Sequence, residues 1–136
     1  SKVKKINKNR ISDCDGKDLG DIDVLVIIPS KKKIVVLEVK DFSLAKTPYE
    51  IHQQYLNIFC DDGKKLCHIS RHKKRVDWIK EHIDDVIEKY GLKKGKWKVV
   101  EALVVDESII SNEFYHQNQT MILYSDLTDD LLKRIK

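Results

Sequence analysis

Four charged side chains alternate with apolar residues at the ends of the two most hydrophobic stretches of the chain. Asp21 and Asp23 bracket Ile22, and Glu38 and Lys40 bracket Val39. Successive side chains of an extended strand point to opposite faces, so the members of each pair share a face. An ionised group on a strand covered from both sides is costly unless it is paired or binds an ion. A divalent cation answers that cost. Mg²⁺ (or Mn²⁺) prefers hard oxygen ligands, and Mg²⁺ usually takes one or two carboxylates and keeps several waters. Asp23 and Glu38, one from each strand, form such a half-site and leave the rest of the shell to water and a phosphate oxygen. A cation held there can polarise a phosphoryl group and activate water. Lys40 projects to the same side as Glu38, where its ammonium can stabilise developing negative charge or orient the attacking water. The plainer reading of the same three residues is an ion pair between neighbouring strands. Asp21 is read as an accessory or solvated carboxylate rather than a ligand.

These residues need two strands to carry them. Residues 22–28 and 34–39 are short, β-branched and apolar on both faces, which predicts central strands covered by helices. Pro29-Ser30-Lys31-Lys32 supplies the turn between them. A hairpin centred between Ser30 and Lys31 pairs residues whose numbers sum to 61, so that Asp23 faces Glu38 and Asp21 faces Lys40. Directly opposed residues lie close enough to share one cation. A slip of one residue would send Asp23 and Glu38 to opposite faces.

Elsewhere, residues 3–11 predict a first strand and the Asp- and Gly-rich 12–20 a loop. Thr47, Pro48 and Glu50 form a capping box with proline at the first helical position, opening a helix that runs to about Cys60. Glu50 is therefore assigned to capping. One longer helix is predicted over 71–90, with Val76, Ile79, Ile83, Val86, Ile87 and Tyr90 at helical spacing and Gly91 closing it. Strands follow at 97–105 and 120–124, and Ser125 caps a final helix. Glu101 is assigned to a strand-edge salt bridge. The order is α/β: a mixed central β-sheet flanked by helices in one domain.

Gly20-Asp21-Ile22-Asp23-Val24-Leu25, followed by Glu38-Val39-Lys40, resembles the PD-(D/E)xK nuclease superfamily, which includes restriction endonucleases, Holliday-junction resolvases and RecB-like nucleases. The resemblance covers roughly residues 3–105. It implies a restriction-endonuclease-like fold, catalytic roles for Asp23, Glu38 and Lys40, Mg²⁺ as cofactor and phosphodiester hydrolysis as the reaction. RecB-like members carry a Gln-x-x-x-Tyr motif on the following helix, and by that resemblance Gln53 and Gln54 are accessory residues.

The chain has 136 residues with 41% apolar and 35% charged composition, which suits one domain with its own core. No apolar run approaches membrane-spanning length and none follows the basic start as a signal peptide would, so the expected compartment is the cytoplasm. The three cysteines, Cys14, Cys60 and Cys67, are an odd number and read as free thiols. Cys60, Cys67 and His68 match no common zinc spacing. The opening Ser-Lys reads as a cut within a longer protein, with other domains of that chain and a homodimer as further partners.

Net charge is +4, from 26 Lys and Arg against 22 Asp and Glu, which permits a polyanion partner without demanding one. Lys2, Lys4, Lys5, Lys8 and Arg10 crowd the start. Arg71, Lys73, Lys74 and Arg75, with His72 among them, form a second cluster suited to phosphate contacts, with DNA as the expected nucleic acid; the alternative is a solvated surface. Two rivals stand beside the nuclease. One is a catalytically inactive nuclease-like domain that binds nucleic acid or a partner protein, against which the complete Asp23, Glu38 and Lys40 set argues. The other is a structural or oligomerisation domain without a ligand.

Overall fold

A computed structural model describes residues 2–13, 15–40, 47–59, 61–63, 66–105 and 121–123. Two compact units make up the chain, one from Ser1–Glu38 with His72–Glu101, the other from Val39–Arg71 with Ala102–Lys136. The elements are α/β, and the sheet has both antiparallel and parallel pairs, ordered β3-β4-β5-β6. Among the described residues no helix is long and apolar enough to cross a membrane.

In the first unit the expected strand over 3–11 is instead a small hairpin. β1 (Lys5–Ile6) pairs antiparallel with β2 (Asn9–Arg10), while Val3 pairs separately with Ile22. The reversal needs a residue in the left-handed region, and Asn7 supplies it at φ 53°. Asparagine tolerates that conformation better than most residues. The loop over 12–20 is held by its own carboxylates: Asp13 Oδ1 accepts from the amides of Asp15 and Lys17, and Asp18 Oδ1 from that of Gly20. These are the local turns that aspartate favours.

β3 (Val24–Ile28) and β4 (Lys33–Lys40) form the predicted hairpin in the predicted register, pairing Val24 with Leu37, Leu25 with Val36 and Ile28 with Lys33. Pro29–Lys31 makes one 3₁₀ turn, and Lys32 completes the reversal in the left-handed region at φ 49°. β4 is central and buried on both faces from Ile34 to Glu38. β3, expected to be central, ends the sheet among the described residues and is half-buried along its whole length. Its apolar run is the same as that of a central strand, and the neighbour on its other side is not encoded in it.

The predicted helix over 71–90 is two helices, α2 (His68–Glu81) and α3 (Ile83–Lys89). The break is at His82, whose ring stacks on Trp78 with centroids 4.0 Å apart and whose Nδ1 lies 2.9 Å from the Trp78 carbonyl oxygen. Asp84 and Asp85 then occupy the first turn of α3, where negative charge suits a helix start. Gly91 closes α3 at φ 60°, with the Leu92 amide donating back to the Ile87 carbonyl. The core of this unit joins Ile6 and Ile22 to Ile34 and Val36 of β4, Val76 and Ile79 of α2 and Val86 of α3.

The second unit holds α1 (Pro48–Phe59), whose capping box forms as predicted. Thr47 Oγ1 accepts from the Glu50 amide at 3.2 Å, and Glu50 Oε2 from the Thr47 amide at 3.3 Å. Asp61 accepts from the Cys67 amide and from Ser70 Oγ, tying the start of α2, and Cys67 is a buried free thiol. β5 (Lys98–Val105) pairs in parallel with β6 (Met121–Leu123) through Leu103–Met121, Val104–Ile122 and Val105–Leu123. Cys14, Cys60 and the helix expected after Ser125 lie outside the described residues.

Candidate functional site

Alternation along β4 sends Ile34, Val36 and Glu38 to one face. Ile34 and Val36 pack in the core with Val76 and Ile79 of α2. On that helix, positions 72, 75, 76 and 79 repeat at helical spacing and therefore form one stripe. The strand row ends in a charge, and so does the stripe. Arg75 Nη1 donates to Glu38 Oε2 at 2.5 Å, and His72 Nδ1 lies 4.0 Å from the same oxygen. Glu38 is 3% exposed, Arg75 6% and His72 5%, so a buried polar cap closes one end of an apolar core.

Arg75 also reaches the segment that leads into β3. Its Nε donates to the Leu19 carbonyl at 2.7 Å. Gly20 follows at φ +80°, and a Cβ there would lie 3.1 Å from Arg75 Nη2. One guanidinium thus spans the backbone four residues before Asp23 and the carboxylate of Glu38. Planar, fork-like donors suit arginine to that double duty, and a lysine has no equivalent geometry.

Asp23 is half-buried and immediately precedes β3, one position beyond the Val24–Leu37 pair. The same register carried one step further sets Asp23 opposite Glu38. Asp21 is half-buried in the approach to β3, and Lys40 is the last residue of β4. Gln53 and Gln54 are half-buried on α1, in the second unit. Of the second basic cluster, Lys73 and Lys74 are exposed and Arg71 is half-buried. Arg75 departs from the expected phosphate-contacting role: it lies on the buried stripe of α2, and its charge is matched by Glu38.

Among the described residues no group of three or more His, Cys, Asp or Glu side chains could hold a metal ion. A magnesium half-site needs only one or two carboxylates, however, and both candidate ligands are hard oxygen donors. The pairing of Glu38 with a buried cation shows that positive charge is suited to this carboxylate, so the donor set fits the ion. Lys8 and Arg10 from the first basic cluster and Lys74 from the second line one cleft of about 720 Å³, together with Asp77, Trp78 and Glu81. Neither Asp23 nor Glu38 lines it; Leu19, whose carbonyl holds Arg75, does.

Sequence reading missed Arg75 and His72 as partners of Glu38. The signal was present in the spacing, since stepping back from Ile79 and Val76 leads to positions 75 and 72. No family model, curated protein or solved structure matches the chain.

Proposed function

We propose that the chain is a metal-dependent nuclease domain with a restriction-endonuclease-like fold, hydrolysing phosphodiester bonds of nucleic acid, with DNA as the first substrate to test. Asp23 and Glu38 would hold Mg²⁺ (or Mn²⁺), which when bound supplies phosphoryl polarisation and water activation. Lys40, two residues after Glu38 on the same strand, stabilises negative charge developing on the phosphate or orients the attacking water. Lys73 and Lys74 are exposed on α2, and Arg71 beside them is half-buried, which suits all three to binding the nucleic-acid backbone.

The observation that carries this reading is the register of the β3–β4 ladder. Pairs whose numbers sum to 61 run from Ile28–Lys33 to Val24–Leu37, and the next in that series is Asp23–Glu38. The test is a cleavage assay with Mg²⁺ and Mn²⁺ on single- and double-stranded DNA and RNA, run beside Asp23→Ala, Glu38→Gln and Lys40→Ala. Metal-dependent cleavage abolished in all three variants supports the reading. Cleavage that survives them unchanged removes this site from consideration.

One observation favours a second reading, a catalytically inactive nuclease-like domain that binds nucleic acid or a partner protein. Glu38 already has a buried cation, Arg75, as partner. Salt-sensitive nucleic-acid binding without cleavage under any divalent metal would select it.

A further inference from the structure

Arg75 has no part in the roles assigned so far, yet it touches both halves of the proposed site. Its Nη1 is bonded to Glu38, its Nε to the Leu19 carbonyl, and Gly20 leaves room for its Nη2. Arginine does not lose its proton in proteins, so this positive charge is permanent. Glu38 is buried too deeply for solvent to balance its charge, and a buried carboxylate deprived of its cation is strongly disfavoured.

We infer that Arg75 is the resident counter-ion of Glu38 and a positioning residue for the metal half-site, holding Glu38 and the Leu19–Asp23 segment together until a divalent cation competes with it for the same carboxylate. The inference rests on the reading of Asp23 and Glu38 as that half-site. The guanidinium is anchored independently of Glu38, through Leu19, so it stays beside the carboxylate when the cation arrives. Two positive groups on one carboxylate repel each other, and Arg75 therefore weakens metal binding while keeping the site assembled. The phosphate of a bound nucleic acid brings the negative charge that offsets this repulsion. Metal and substrate then bind each other's complex more tightly than the free protein.

The test compares Mn²⁺ binding by titration calorimetry in the unaltered chain, Arg75→Gln and Glu38→Gln. Removal of the neighbouring positive charge should tighten Mn²⁺ binding by about tenfold, the effect of one nearby charge on an ionised carboxylate. Glu38→Gln should abolish the binding. Binding by the unaltered chain with no gain in Arg75→Gln overturns the inference and leaves the metal site standing. Absence of Mn²⁺ binding in both overturns the metal site and the inference together. Should Arg75→Gln not fold, the unaltered chain answers by NMR, with the Arg75 Nε–Hε resonance assigned by its disappearance in Arg75→Lys. That resonance should shift as Mg²⁺ saturates the site, and a stationary one during saturation overturns the inference.

Discussion

Arg75 and Glu38, 37 positions apart on α2 and β4, meet through a charge-assisted hydrogen bond that both bury almost completely. Removing one partner of such a pair leaves an uncompensated charge, a loss of about 3–5 kcal/mol, whereas replacing both with apolar residues is often neutral or better. Arg75→Met alone should therefore destabilise the chain by that amount. Arg75→Met with Glu38→Leu should recover most of it. Urea unfolding of the two variants checks the prediction, and equal losses in both would show that the pair is not coupled.

The three proposed catalytic residues should separate by the step that they serve. Asp23→Ala should remove divalent-metal binding along with cleavage. Lys40→Ala should keep the metal and slow cleavage by about 10²-fold or more, the usual effect of deleting one group that stabilises transition-state charge. Calorimetry beside single-turnover kinetics distinguishes the two.

Replacing Lys73 and Lys74 with Ala should weaken nucleic-acid binding regardless of sequence. The slope of log affinity against log salt should fall by about 0.9 for each phosphate of duplex DNA that the variant no longer neutralises. Arg75 is left out because its charge is turned inward. An unchanged slope would return both lysines to the solvated surface.

Thr47→Ala should cost about 1 kcal/mol, since the hydroxyl satisfies an amide at the start of α1 that no other part of the helix can reach. Thr47→Ser should be nearly silent. Thermal unfolding followed by circular dichroism reads both.

How much of the fold and site was legible depended on how local the cause was. The β3–β4 hairpin and its register follow from two β-branched runs and the Pro29–Lys32 turn between them, all within 17 residues of chain from Val24 to Lys40. The capping box at Thr47 is equally local. The break at His82 was not legible, because no Gly or Pro marks it and the cause is a ring stacking on Trp78. Nor was the edge position of β3, which depends on strand order rather than on composition. Arg75 was misread for a subtler reason. Adjacent Lys73 and Lys74 made a run of charge look like one surface feature, although successive helix positions point about 100° apart and only 72 and 75 continue the apolar stripe.

Gly20 looks like the ordinary first letter of the Gly-Asp-Ile-Asp string, but it is spatially the neighbour of a residue on another element. Its left-handed backbone excludes most side chains, and the space a side chain would fill belongs to the Arg75 guanidinium. Position 20 and position 75 are therefore epistatic. A change at Gly20 forces the arginine off its station. Once Arg75 is gone, the steric part of the demand for glycine disappears while the demand for a positive φ remains. Among diverged sequences of this kind, a glycine ahead of the first aspartate should co-occur with an arginine on α2, and asparagine should be the commonest substitute where that arginine is missing.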